Sequence, residues 1–164
     1  MMFGLEWQSW LPLWMFSPVL AALAWTDFSR MRIPNIFSLA GIAIFLLSPL
    51  YLDMNDALLR LVAGSICFAI CFALFAIGWL GGGDAKILPV VFLMIPPSVL
   101  STYLFVLAAA MALGLVVMAI VRRTLHQPLS GYDSVVQKRE FPLGIAIGSS
   151  GLLLAAVTFV GAVF

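Results

Sequence analysis

The chain has 164 residues, 64% of them hydrophobic and only 9% charged, with a mean hydropathy of +1.17, where a soluble domain carries roughly 25% charged residues. Such a composition excludes a soluble fold and, at about 20 apolar residues per crossing, leaves room for roughly six or seven membrane helices and no sizeable domain outside them. A net charge of +1 without a long basic run also excludes a surface that tracks a nucleic-acid backbone.

Divided at its charges and Pro/Gly clusters, the chain gives apolar segments near 10–26, 35–52, 57–80, 85–98, 99–121 and 141–163. The expected fold is therefore all-α, a polytopic bundle of about six transmembrane helices in a single membrane-embedded domain over 1–164. In the first segment "ALA" at 22–24 imitates a signal-peptidase site. A secretory signal opens on a basic region, however, and no Lys or Arg precedes Arg30 while Glu6 does, so a retained helix is expected. The third segment holds the two cysteines, Cys67 and Cys71, four apart and so on one helix face. With no histidine nearby to complete four ligands, they read as small packing residues and not as a metal site or redox pair. Pro89, Pro96 and Pro97 interrupt the short fourth segment, which predicts a tilted or broken helix, or one merged with its neighbour.

Arg30 and Arg32 follow the first segment, Lys86 the third, and Arg122, Arg123, Lys138 and Arg139 the fifth. These all fall on one side of a six-helix chain, which the positive-inside rule assigns to the cytoplasm. The "YLDMND" loop with Asp53 and Asp56 then lies outside, and only Arg60 dissents. The polar stretch 122–140 carries His126 and Asp133. It reads as a solvated loop, since no Ser or Cys nucleophile accompanies the histidine in a recognisable setting.

Of the five aspartates, Asp27 and Asp84 stand apart because each sits at the cytoplasmic end of a crossing. Carboxylates at the hydrocarbon boundary carry an insertion cost and mark function. Two of them at matching depth suggest a pair, and a close pair in low dielectric keeps one proton between them. The ionised member can take a proton from water while the neutral member hydrogen-bonds a carbonyl, which is what amide hydrolysis requires, with no metal or cofactor. Gly81, Gly82 and Gly83 each cost a helix interior about 1 kcal/mol relative to alanine. They are read as permitting positive φ and close backbone approach, so that Asp84 is aimed from an unwound helix end; a tight turn or a small-residue packing face is the plainer alternative. Arg30 and Arg32 read as headgroup anchors, Pro34 as the start of the second helix and Lys86 as a snorkelling side chain.

"GGGDAK" and "DFSRMRIPN" together resemble the two motifs of the type IV prepilin peptidases, membrane aspartyl proteases with a Gly-x-Gly-Asp signature. The first fits at Gly81, Gly83, Asp84 and Lys86. The second fits at Asp27 followed by Arg32, Ile33, Pro34 and Asn35, and "FPLGIAIG" is similar to a Pro-x-Gly segment of the family at Pro142 and Gly144. The resemblance implies that Asp27 and Asp84 are catalytic. It also implies that the substrates are prepilins or pseudopilins, cut at the cytoplasmic face of a bacterial inner membrane between a basic leader and a hydrophobic helix. Larger members carry a zinc-binding insert with two Cys-x-x-Cys pairs that accompanies N-methylation. This chain lacks that insert and resembles the short peptidases of Flp (tight-adherence) pili. Presenilin-type proteases share Gly-x-Gly-Asp, but theirs is a first aspartate after tyrosine, whereas Thr26 precedes Asp27, and a late Pro-Ala-Leu, whereas Leu143 and Gly144 follow Pro142. An archaeal preflagellin peptidase would share the chemistry. A non-catalytic transporter subunit or assembly scaffold is the alternative of a different class.

Overall fold

The computed structural model describes residues 7–124 and 143–163. Among these, six α-helices and no strand are found: α1 Leu11–Arg30, α2 Asn35–Leu46, α3 Met54–Ala76, α4 Gly82–Met94, α5 Leu100–Thr124 and α6 Leu143–Val163. Short 3-10 turns at Trp7–Trp10, Ser48–Leu50 and Pro97–Val99 precede α1, follow α2 and lead into α5. The signals that start and stop the helices are local. Pro12 stands in the first turn of α1, where a missing N–H is no loss. Extended Pro34 introduces α2, and the Asp53 carboxylate accepts the Asn55 N–H at 3.2 Å to cap α3.

The segments spanning Trp7–Arg30, Met54–Ala76, Pro97–Val117 and Leu143–Ala162 are long and apolar enough to cross a membrane. The other two helices, of 12 and 13 residues, rise only about 18–20 Å against a hydrocarbon core of about 30 Å. The fourth segment is thus a separate helix that keeps its course through Pro89 and stops before Pro96, instead of merging with α5. Apolar side chains such as Leu58, Val62, Phe72, Phe105 and Leu113 face outward, as a lipid-facing surface requires.

α1 lies along α6, α3 along α4, and α2 rests on α4 and α1. Leu13, Phe16, Leu20 and Leu23 of α1 meet Ile87, Val91 and Met94 of α4, Tyr103 of α5 and Ile147 of α6 in the core. Glycine sets the α1–α6 spacing. A methyl group on Gly148 would sit 2.7 Å from the Leu20 carbonyl oxygen and 2.9 Å from Ala24 Cβ, and one on Gly151 would sit 2.7 Å from Leu20 Cδ1. The backbones therefore touch as they do in small-residue membrane packing, in an antiparallel register that pairs Gly151 with Leu20, Gly148 with Ala24 and Gly144 with Asp27.

Arg60, the one cation out of step with the charge asymmetry, is a clamp inside the protein and not a topology signal. Fully buried on α3, it donates to the Met94 carbonyl at 3.0 Å, to Ser9 O at 2.6 Å and to Asp56 Oδ2 at 2.9 and 3.1 Å. Met94 ends α4, so Arg60 takes up carbonyl groups that a helix stopping short of the membrane surface leaves without partners. Arg60→Ala strands those acceptors together with Asp56 and is expected to destabilise the protein by about 3 kcal/mol, measured by SDS-titrated unfolding in mixed micelles. An unchanged unfolding midpoint would refute the clamp.

Candidate active site

Asp27 occupies the last turn of α1 and Asp84 the first turn of α4, and both line one cavity of about 540 Å³ at one end of the bundle. The wall is completed by Met31, Arg32, Ile33, Pro34, Asn35, Gly81, Gly82, Gly83 and Leu143. Every residue that the two motifs single out, except Lys86, therefore reaches this cavity, though 46 positions or more separate Arg32–Asn35 from the glycines along the chain.

Asp27 is 5% exposed. Its Oδ2 accepts the Ile145 N–H at 3.2 Å, so it faces the amino end of α6, where unpaired amides and the helix dipole favour an anion. This approach requires Gly144: a Cβ there would lie 2.7, 2.8 and 2.9 Å from Oδ2, Cγ and Cβ of Asp27. Beyond Asp27, α1 ends at Met31, whose N–H returns to the Asp27 carbonyl at 3.0 Å and whose φ of 48° and ψ of 38° are left-handed. Glycine usually holds such a position, and a side chain there stores strain of order 1–2 kcal/mol. The turn sends Arg32 to Asn35 back across the cavity mouth.

Asp84 is half-buried in the third position of α4, after extended Gly81 and helical Gly82 and Gly83. The positive φ expected of the triple glycine falls elsewhere, at Gly78 with φ 78°. There the Gly78 and Trp79 amides bond the Phe75 and Leu74 carbonyls and close α3 in a Schellman turn. The glycines of the motif serve close approach instead. A Cβ on Gly81 would stand 2.8 Å from Asp84 Oδ2, and one on Gly83 would stand 3.0 Å from Ile33 Cβ. Gly83 therefore seats the first motif on the second, and Lys86 Nζ donating to Asn35 Oδ1 at 3.2 Å fastens the two from outside. Arg32 and Pro34 stay exposed on the rim.

Asp84 lies outside the four spans, and its carboxyl is pushed up to about 7, by burial first and then by the charge of Asp27. Behind it, Cys67 and Cys71 stack with sulfurs 3.9 Å apart and pack with Ala85, joining α3 to α4. Among the described residues no group of three His, Cys, Asp or Glu side chains could hold a metal ion. Pro142, His126 and Asp133 lie outside the described residues. The residues missed from sequence are Gly78, Met31 and the Ile145 amide. Gly78 alone left a signal, standing just past an apolar run.

A membrane-embedded helical bundle with two carboxyl groups on one cavity at its polar end defines the class. The model of the type IV leader peptidase family (Peptidase_A24) matches residues 14–119, a stretch that contains both aspartates, and the chain belongs to that family. Neither the curated proteins nor the solved structures searched gave a match.

Gly144→Ala is expected to push the Asp27 carboxyl off the Ile145 amide and, if that carboxyl takes part in the reaction, to lower leader-removing activity about 100-fold, the effect of misplacing a reacting group by about 1 Å, while the protein stays folded in the membrane. Gly82→Ala, whose methyl would meet only the Phe75 ring edge at 3.2 Å, should retain more activity. Initial rates of prepilin processing by the purified variants check both.

Proposed function

We propose that the protein is an aspartic-type membrane endopeptidase, one domain over 1–164, that removes the leader from prepilins or pseudopilins at the cytoplasmic face of a bacterial inner membrane. Asp27 and Asp84 are its catalytic pair. The observation that carries this is the convergence of the two carboxyl groups on one cavity from helices far apart in sequence. Membership of the leader peptidase family supports the substrate class. The stretch between the two motifs, which carries no Cys-x-x-Cys pair, is in keeping with the Flp-pilus type.

In this reading one proton is shared by the pair. Asp84 carries it at neutral pH, consistent with a carboxyl raised to about 7, and Asp27 is the carboxylate. Water between them attacks the scissile carbonyl carbon and gives a proton to Asp27, while Asp84 donates its proton to the carbonyl oxygen. Collapse of the resulting gem-diol breaks the C–N bond as the leaving nitrogen takes the proton from Asp27. The diol proton returns to the deprotonated Asp84 and restores the starting state. Arg32 on the rim and the Lys86–Asn35 contact hold the motif loops and meet the substrate chain.

A second reading has a specific observation behind it: the Ile145 bond would suit an Asp27 that only caps α6 in a non-catalytic membrane protein. Asparagine separates the two, because its carbonyl oxygen still accepts that N–H but cannot serve as a base. Asp27→Asn and Asp84→Asn are each expected to abolish leader removal from a co-expressed prepilin with membrane levels intact. In the wild type, activity should be sustained below pH 7 and decline as pH rises through about 7, where the raised Asp84 carboxyl loses its proton. Processing that persists in either variant, or activity that climbs through that window, contradicts the pair.

A further inference from the structure

A second cavity, of about 560 Å³, opens to the lipid between α2 and α3, which both rest on α4 instead of closing on one another. Each of the three helices gives it one face at helical spacing. Asn35, Ser38 and Ile42 come from α2, Leu61 and Phe68 from α3, and Lys86 and Leu93 from α4. The stripe from i to i+7 is about 10 Å long, two helical turns. Since α3 runs against α2 and α4, the Asn35, Phe68 and Lys86 end is level with the aspartates and the Ile42, Leu61 and Leu93 end lies deep in the bilayer. Asn35 lines both cavities, so the two adjoin.

One detail distinguishes this groove from a gap that any acyl chain would fill. Ser38, 9% exposed and among the residues lining it, has a covered hydroxyl with no hydrogen-bond partner, a lack it shares with Ser48 in the turn after α2, whereas the helical serines Ser17, Ser29 and Ser150 bond back to a carbonyl. A buried hydroxyl left unpaired costs about 1–3 kcal/mol, and hydrocarbon cannot satisfy it. A peptide carbonyl in the first turn of a helix emerging from the dyad cavity can.

Resting on the peptidase reading above, we propose that this groove binds the first two turns of the substrate's hydrophobic helix, just beyond the scissile bond, with its apolar i, i+3/i+4, i+7 side chains between α2 and α3 and a backbone carbonyl on Ser38. Helix-in-groove recognition uses that anchor spacing. The site fixes the distance from the membrane-embedded helix to the cleaved bond, and so selects substrates with an apolar helix directly after the leader.

Leu39 and Leu61 stand on opposite walls and are 59% and 48% exposed, so replacing them does not disturb the core. A photoreactive benzoylphenylalanine at either position in full-length Asp84→Asn protein, co-expressed with a type IV prepilin, should form a prepilin adduct. The same group at Leu153 or Phe159, exposed on α6, should not. In the otherwise unaltered enzyme Leu39→Trp and Leu61→Trp should raise KM about tenfold with kcat held, the mark of lost substrate binding without lost chemistry. Adducts with phospholipid alone, adducts with a second copy of the chain alone, equal prepilin adducts from α6, or unchanged KM in both tryptophan variants would each overturn the groove assignment while leaving the peptidase reading standing. A wild-type protein that cuts no prepilin would overturn the peptidase reading instead.

Discussion

The site depends on two helices that approach closely at glycine. α6 lies against α1 at Gly144, Gly148 and Gly151, where an added Cβ would meet the Asp27 carboxyl, the Leu20 carbonyl oxygen and the Leu20 side chain respectively, and this contact places the Asp27 carboxyl on the amino end of α6 inside the protein instead of in lipid. In hydrocarbon a carboxyl group needs either partners or a function, and here the fold supplies the partner through an amide whose approach any larger residue would block. The same device recurs at the second acid, where Gly81 leaves room for the Asp84 carboxyl and Gly83 lets Ile33 close over it. Glycine costs helix stability; at these positions the return is proximity.

Depth is set by α4. At 13 residues it is too short to cross alone, and it is fixed at both ends: Lys86 bonds Asn35 beside the motif loops, and Arg60 takes the carbonyl of Met94. A charged clamp inside the membrane is costly unless every donor is engaged. Arg60 engages Asp56, Met94 and Ser9, tying the N-terminal turn, α3 and α4 together. Asp84 is thereby held on the cavity that Asp27 also lines, and α2 and α3 both rest on α4 without closing on one another.

Much of this was legible from residue order. The six apolar segments correspond to six helices because the hydrophobic runs end at proline, glycine and charge. Where boundaries moved, capping decided them: α3 begins earlier, at Met54, because Asp53 caps it, and ends earlier, at Ala76, because Gly78 closes it. Asp27, Asp84 and the residues around them were legible because acids are rare in such a chain. Conformation was less so. The triple glycine suggested positive φ, yet the left-handed residues are Gly78 and Met31, since helix termination and not the acid demands that geometry. The bond from Ile145 to Asp27 spans 118 positions and rests on tertiary packing that no local pattern encodes. Arg60, which breaks the charge rule, could be explained only once its acceptors were in view.

The central claim is that the ends of α1 and α4 bring their acids together, and short-range cross-linking tests it most directly. With Cys67 and Cys71 replaced by alanine, cysteines at positions 27 and 84 in native membranes are treated with a thiosulfonate reagent only a few bonds long, and the products are read by peptide mass spectrometry. The account predicts a 27–84 cross-link, and none when the partner of position 84 is moved from 27 to the outward-facing position 25. Efficient single labelling of both cysteines without any 27–84 cross-link would contradict it.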